Sequence, residues 1–421
     1  MWKQVLALFI VMCLFIVNLF AQAQSMQWMK DLGRTNPGEG HCVQQTSDGG
    51  YIITGYVTYE VKPHLWLIKT NAAGNTLWTK TFEEYCESQG HFVQQTNDRG
   101  YIITGYVNYL DLAAANHLWV IKTDAKGNKL WVKTFDSRRE NEGYCVRQTL
   151  DNGYIIAGYT YHGEIMAEGE FAEEKMEMSE LSRVPEKGKD VWVIKINASG
   201  DTLWTKTFGG SDDDCALSVQ QTIDSGYVIV GYTGRNDERE HYSDVCLIKI
   251  DRLGNKQWDK TFGGTYPARG NSIQKTSDNG YIITGCTGAY GEDANVWLIK
   301  TDSLGNKLWD KTFGGTNFDV GTCVQQTTDD GYIIVGATGS YGYGTPGALN
   351  VWLIKTNPVG DTLWTRTFGG TDDDIAYSVE QTRDNGYIIT GYTGFKYGKR
   401  EPALLLIKTD SLGNTIVIQK E

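Results

Sequence analysis

The chain lacks a positive balance of charge. Its 39 lysines and arginines stand against 51 aspartates and glutamates, a formal net charge of −12 over 421 residues. That balance argues against nucleic acid and against anionic membranes as partners. It also lacks any CxxC pair, which removes the usual zinc spacing. Past residue 20 no apolar run approaches the length of a membrane span. No nucleophile–base pair or catalytic cluster stands out, and no motif calls for a cofactor, so none is expected. What is present is globular in composition, 21% charged and 40% hydrophobic.

The N-terminus has a distinct pattern. Lys3 forms a short positive start, Val5–Phe20 is a sixteen-residue apolar run, and Ala21-Gln22-Ala23 gives a small-x-small cleavage pattern. Residues 1–23 are expected to be a secretory signal, leaving a mature chain over 24–421 with no transmembrane segment. An uncleaved membrane anchor is the other reading. The expected location is secreted, periplasmic or in the cell envelope. Losing Lys3 would take the net charge from −12 to −13.

The rest of the chain is one stretch written seven times, with a period of about 50 residues. The clearest copy is NVWLIKTNPVGDTLWTRTFGGTDDDIAYSVEQTRDNGYIITGYTG, from Asn350 to Gly394. Each unit reads as four strands. Strand A is V-Q-Q-T, as in Val43–Thr46, and leads into a turn carrying Asp48, Asp98, Asp151, Asp224, Asp278, Asp329 or Asp384. Two residues after each aspartate stands a glycine, a hairpin signal because such turns need positive φ. Strand B is G-Y-I-I-T-G-Y, rich in β-branched and aromatic residues. Strand C is V-W-L-I-K-T, with lysine at 69, 122, 195, 249, 300, 355 and 408. After a D-x-x-G-N turn, strand D is L-W-T-K-T-F, with Trp78 and its equivalents.

Connection lengths select the topology. Strand C to strand D is constant, as from Lys69 to Trp78, and strand D to strand A is constant, as from Phe82 to Val93. Only the B–C connection varies, from the short link between Tyr56 and Trp66 to the long one between Tyr159 and Trp192. Seven units of four short antiparallel strands predict an all-β fold, a seven-bladed β-propeller of four-stranded antiparallel blades. A superhelical stack of sheets is the alternative. The chain opens on Gln27–Gly33, which matches the end of a unit: Trp28-x-Lys30-x-Leu32-Gly33 against Trp204-x-Lys206-x-Phe208-Gly209. The N-terminal strand is therefore expected to close the last blade, although Thr415–Lys420 could also serve.

The run LIKTDSLGNKLWDKTFGG, Leu298–Gly315, followed by DNGYIITGYT-type strands, resembles the β-propeller repeat of secreted bacterial proteins. Its K-T-D-x-x-G-x-x-x-W spacing is similar to the tryptophan-docking motif of quinoprotein-type propellers. The resemblance covers nearly all of residues 24–421 and implies the fold, while such repeats serve scaffolds of many uses. The T-x-D-x-G pattern, as in Thr46, Asp48 and Gly50, also looks like a sialidase Asp-box, but the arginines are scattered rather than clustered.

Candidate sites follow from position within the repeat. His41, His91, Tyr144, Asn271 and Tyr377 share one register just before the strand-A valine, always preceded by a small residue. They form a candidate ligand ring at the mouth of a central channel. Asp212, Asp213 and Asp214, with Asp372, Asp373 and Asp374, are candidate calcium donors, although EF-hand spacing is absent. Solvated loop acids are the plain alternative. The strand-C lysines and the turn aspartates should lie on one face and pair as exposed ions worth roughly 0–1 kcal/mol each. Strand-D lysines such as Lys80 and Lys206 should guard an exposed edge.

Seven cysteines lie beyond Cys13. Cys42, Cys145 and Cys323 share one repeat position in non-neighbouring units and should not pair. Cys86 and Cys215 are expected in loops and to be the more reactive. The Tyr161–Lys189 insertion is acidic, with eight glutamates, and Phe171, Met178 and Leu181 near helical spacing. It is either a lid or docking element, or a solvated loop.

The function expected from these features is that of a non-enzymatic scaffold. It would bind a protein or carbohydrate partner through the B–C loop face, without nucleic acid. A glycan hydrolase or lyase using acids at the ring mouth, or a structural envelope component, are the alternatives.

Overall fold

The computed structural model describes residues 27–415, apart from 33–35, 61, 83–85, 110–114, 136–139, 162–187, 238–239, 289–292, 343–346 and 396–401, and leaves the side chains of 235–241 and of 395 undescribed. The expected signal, most of the insertion, including its helical spacing, and residues 416–421 lie outside the described residues. Among the described residues no helix is long and apolar enough to cross a membrane. The fold is all-β: seven four-stranded antiparallel sheets arranged as a β-propeller. In blade one the order is A (Gly38–Gln45), B (Tyr51–Tyr59), C (Lys62–Thr70) and D (Thr76–Thr81), from the axis outward. Blade seven has A (Asp373–Gln381), B (Tyr387–Phe395) and C (Ala403–Thr409), and takes its fourth strand, Trp28–Leu32, from the N-terminus. Trp28 pairs with Lys408 and Leu32 with Leu404, so the expected closure is present.

The ring holds because no blade buries its own faces. Strands B and C are apolar on both sides, and V-W-L-I-K-T is buried along nearly its whole length. Flat stacking of sheet on sheet buries both faces at once. Each of the seven core clusters accordingly straddles one blade interface, as where Ile155 and Val193 of blade three meet Val219 and Ile229 of blade four. Trp28 belongs to the cluster joining blades seven and one. Its indole lies over the turn glycine of the next blade: a Cβ at Gly74 would fall 2.4 Å from Trp28 Cη2. Trp78 stands in the same way against Gly127, and Trp364 against Gly413. The outer-strand lysines add a tether, Lys30 Nζ to Asn75 Oδ1 at 2.6 Å and Lys80 Nζ to Asn128 Oδ1 at 3.3 Å.

The repeated V-Q-Q-T is a zipper between blades. The first glutamine accepts the amide of the second position in the following blade, as in Gln95 N to Gln44 Oε1 at 2.6 Å and Gln148 N to Gln94 Oε1 at 2.7 Å. The second glutamine accepts a turn amide from the preceding blade, as in Ser47 N to Gln95 Oε1 at 2.7 Å.

The turn glycines have a different cause from the expected one. Positive φ falls on the residue between aspartate and glycine, for example Arg99 at 65° and Asn385 at 61°. The glycine itself is needed for space. A Cβ at Gly100 would sit 2.1 Å from the Thr123 carbonyl oxygen and 2.5 Å from Lys122 Nζ.

That space admits the strand-C lysine. Each lysine reaches its turn aspartate, at 2.8–3.0 Å in all seven blades. The expectation of exposed pairs is half corrected: the lysine side chains are only 3–5% exposed, the aspartates 36–59%. Strand C is central, so its terminal lysine is covered by both neighbouring strands.

Burial alone would push these aspartates up. Hydrogen bonds from the threonine hydroxyl, the lysine and the glycine amide outweigh it and hold all seven carboxyls down, Asp224 and Asp278 at about 2. A depressed carboxyl lends stability above its unfolded value of about 4 and loses it as pH falls through the folded one. Glu380, raised by burial to about 7, acts the other way and withdraws stability as pH rises through that value. Urea midpoints are therefore expected to peak between about pH 4 and 6 and to collapse between about pH 4 and 2. A midpoint unchanged down to pH 2 would contradict the pairing.

Candidate functional site

Strand A breaks its register at one shared position in every blade, and blade seven has a second break between Asp373 and Ile375. In blade one Gly40 opposes Gly55 and Cys42 opposes Thr54, leaving His41 as an extra residue. The same bulge falls at His91, Tyr144, Leu217, Asn271, Thr322 and Tyr377. A bulge turns its extra side chain out of the alternation. Here seven of them turn onto the axis and line one cavity of about 260 Å³. All five residues expected to form the ring are brought together there. Leu217 and Thr322 complete it and were missed, being neither aromatic nor amide. The glycine opposite each bulge is steric: a Cβ at Gly55 would meet the Glu39 carbonyl oxygen at 1.8 Å.

Several bulge side chains stitch blades together. His41 Nδ1 stands 3.0 Å from the Gly90 carbonyl and His91 Nδ1 3.2 Å from that of Gly143. Asn271 Nδ2 donates to Gly321 at 2.8 Å, and Thr322 Oγ1 to Ala376 at 2.7 Å. A carbonyl only accepts, so Nδ1 of His91 carries the proton. Burial pulls the His91 ring down to about 4 despite nearby Glu142, so it is neutral at pH 7 with Nε2 as an acceptor.

The wall is asymmetric. Aromatic rings run continuously over blades seven, one, two and three: Tyr392 to Tyr377 at 5.9 Å, Tyr377 to His41 at 5.3 Å, His41 to His91 at 5.5 Å and His91 stacked on Tyr144 at 4.9 Å. Tyr144 continues to Tyr159, and Lys189 Nζ lies 4.3 Å over that ring. Tyr161 and Lys189 root the insertion, so it leaves the fold beside the aromatic arc. Glu39 at the mouth accepts from Tyr56 at 2.9 Å and Tyr377 at 3.3 Å. Burial and the Glu39 charge push the Tyr377 hydroxyl well up. Blades four to six instead offer Leu217, Asn271 and Thr322.

Among the described residues the seven cysteines form no disulfide. Burial raises Cys42 to about 12. Cys215 corrects its expectation: it lies within strand A of blade four (Asp214–Gln221), 2% exposed, with its thiol pushed to about 12 by burial. The repeat places it where Glu39 stands in blade one, inside the strand rather than in the loop before it. Cys86 is half-buried, packed beside the core joining blades one and two.

The acidic triplets stand where strand D returns to strand A. Asp213 accepts Lys189 N at 2.9 Å and Asp373 accepts Leu349 N at 2.9 Å. Asp214 accepts Gly210 N at 3.0 Å, and Asp374 takes Gly370 N at 2.8 Å and Gly394 N at 3.2 Å. Burial raises both Asp214 and Asp374. These carboxylates brace the D–A and B–C connections against each other. Asp212 and Asp372 precede them at the loop. Among the described residues no group of three or more histidines, cysteines or acids is arranged to hold a metal ion.

No family model matches the chain, and no curated protein matches it. Solved structures do. YCF48 bound to D1 peptide is 10% identical, with a TM-score of 0.51 over 92% of this chain and 96% of that one. Sqt1 from Chaetomium thermophilum is 9% identical, with a TM-score of 0.47 over 92% and 98%. The same Sqt1 bound to the N-terminus of the ribosomal protein L10 has a TM-score of 0.46. At such identities the likeness to YCF48 speaks for the fold alone.

Proposed function

We propose that the chain is an exported, non-enzymatic propeller scaffold that holds a protein or glycan partner on its B–C loop face. A segment of the partner enters the channel along the aromatic arc. The observation that carries this reading is the convergence of seven bulge residues on one cavity whose aromatic side adjoins the root of the acidic insertion. Rings arranged in this way offer faces to a peptide or a sugar at low entropic cost. YCF48, a propeller of similar fold, has been solved with a peptide. Export rests on residues 1–23 as a cleaved signal, with 24–421 as the propeller and no membrane span remaining. We read the repeat as that of secreted bacterial propellers and its C–D turn as a tryptophan-docking turn, which the indole-on-glycine contacts support. The scaffold needs no cofactor.

The test uses residues 24–421 against a peptide library and a glycan array, comparing wild type, a deletion of 162–187 and Tyr144→Leu. Leucine is what blade four carries at this position, so the fold tolerates it. Partner binding is expected to weaken about tenfold in Tyr144→Leu, the scale of one lost aromatic contact, and to weaken in the deletion. Equal binding by all three forms would remove the placement.

A further inference from the structure

The channel floor departs from the repeat at one residue. In five blades the residue at the first glutamine position of V-Q-Q-T accepts the next blade's amide: Gln44, Gln94, Gln274, Gln325 and, as a carboxylate, Glu380. Gln220 instead donates to the Ile273 carbonyl at 3.3 Å. Blade three has Arg147, which has no acceptor atom to offer. The chain forgoes a link in the zipper there to place a guanidinium in the cavity.

That guanidinium is held by stacking, not by ions. Its Cζ lies 4.5 Å over the Phe92 ring. Its Nε is buried with no hydrogen-bond partner, and no ion pair to Arg147 exists among the described residues. It lines the axial cavity together with Cys42 of blade one, Cys323 of blade six and Glu380 of blade seven. Glu380 lines the same cavity, but its Oε2 is engaged by Gln45 N at 2.6 Å. The same cavity is lined by the neutral side chains of Ser218, Ser272 and Gln274. An arginine with no ion pair among the described residues, in a cavity that also offers neutral hydrogen-bonding side chains, is built to receive a planar anion in a two-bond fork.

We infer that Arg147 is the anchor for a carboxylate that the partner inserts down the channel, either a peptide C-terminus or an aspartate or glutamate side chain. The inference rests on the scaffold reading and names what that partner supplies. The aromatic arc lines the way in, and the guanidinium ends it.

The experiment follows the Arg147 Nε–H resonance in [15N]arginine-labelled protein, assigned by its loss in Arg147→Gln. Four probes are titrated: acetyl-triglycine with a free C-terminus, acetyl-Gly-Glu-Gly-amide, acetyl-triglycine-amide and inorganic phosphate. One or both carboxylate peptides are expected to shift the resonance, and which one does so identifies the source. The amide control and phosphate are expected to leave it in place. Arg147→Gln restores the residue used in most blades, so it folds, with a thermal midpoint at or above that of wild type. It binds the carboxylate peptide at least about tenfold more weakly, and Arg147→Lys, which keeps the charge but not the fork, falls between. No shift with either carboxylate up to about 10 mM, equal binding by Arg147→Gln, equal shifts from the amide control, or a shift from phosphate alone would each overturn the assignment. A library partner that binds Arg147→Gln as tightly as wild type leaves the scaffold reading standing without this anchor. Carboxylate binding with no partner on the B–C face does the reverse.

Discussion

Replacing Trp28 by alanine is expected to destabilise the propeller by about 3–5 kcal/mol, the range for removing a buried tryptophan. Trp28 is 3% exposed, sits edge-on to Tyr51 at 6.0 Å and packs with Ile388 and Leu404 on one side and Val43 and Ile53 on the other. The same indole slot in other blades is only half-buried, as at Trp78, Trp204 and Trp364. Those blades are also covalently continuous from strand C to strand D. The Trp28–Leu32 strand pairs with Ala403–Thr409 across nearly the whole length of the chain, so its loss frees the last blade's edge. Urea unfolding should show the large loss for Trp28→Ala and a smaller one for Trp364→Ala. Hydrogen exchange should show lost protection at Leu404–Lys408. A Trp28→Ala change below about 1 kcal/mol would mean that the ring is not closed by this strand.

Cutting one lysine–aspartate pair is expected to be nearly as damaging. In Asp224→Ala, Lys249 is left 5% exposed with only the Ile250 carbonyl at 3.1 Å to accept from it. Leaving a buried charge uncompensated costs about 3–5 kcal/mol. Asp224 is itself 54% exposed, and solvent screens its share, so about 2–4 kcal/mol is expected. Part of that loss is the turn, since Asp224 also accepts from Thr222 Oγ1 and Gly226 N. The double variant Asp224→Ala/Lys249→Met should recover more than half, because no buried charge remains. Equal losses in the single and double variants would assign the whole effect to the turn.

Much of the architecture was legible in the residues. The period, the constant C–D and D–A spacings and the stray Trp28-x-Lys30-x-Leu32 strand led to seven blades and their closure. The pairing of turn aspartates with strand-C lysines was also legible, but not the burial of those lysines, because exposure depends on the neighbouring strands. The ring of His41, His91, Tyr144, Asn271 and Tyr377 was found through a shared register and a preceding small residue. The bulge that turns those side chains inward left only an indirect mark, the glycine opposite. Arg147 was missed, although V-R-Q in place of V-Q-Q was the visible departure. Cys215 was misplaced because the length of strand A was underestimated by a few residues.

The division has a physical reason. β-branched and aromatic runs, aspartate turns and positive φ are short-range demands, settled among residues a few positions apart, so the chain by itself determined the strands, the hairpins and the count of blades. Which side chains meet at the axis is a long-range outcome. It depends on seven sheets closing at one radius, on bulges that rotate one residue per blade, and on contacts between residues such as Glu380 and Gln45 that stand far apart in sequence. Only the closed ring brings a lone guanidinium, a neutral imidazole and an arc of tyrosines into one cavity.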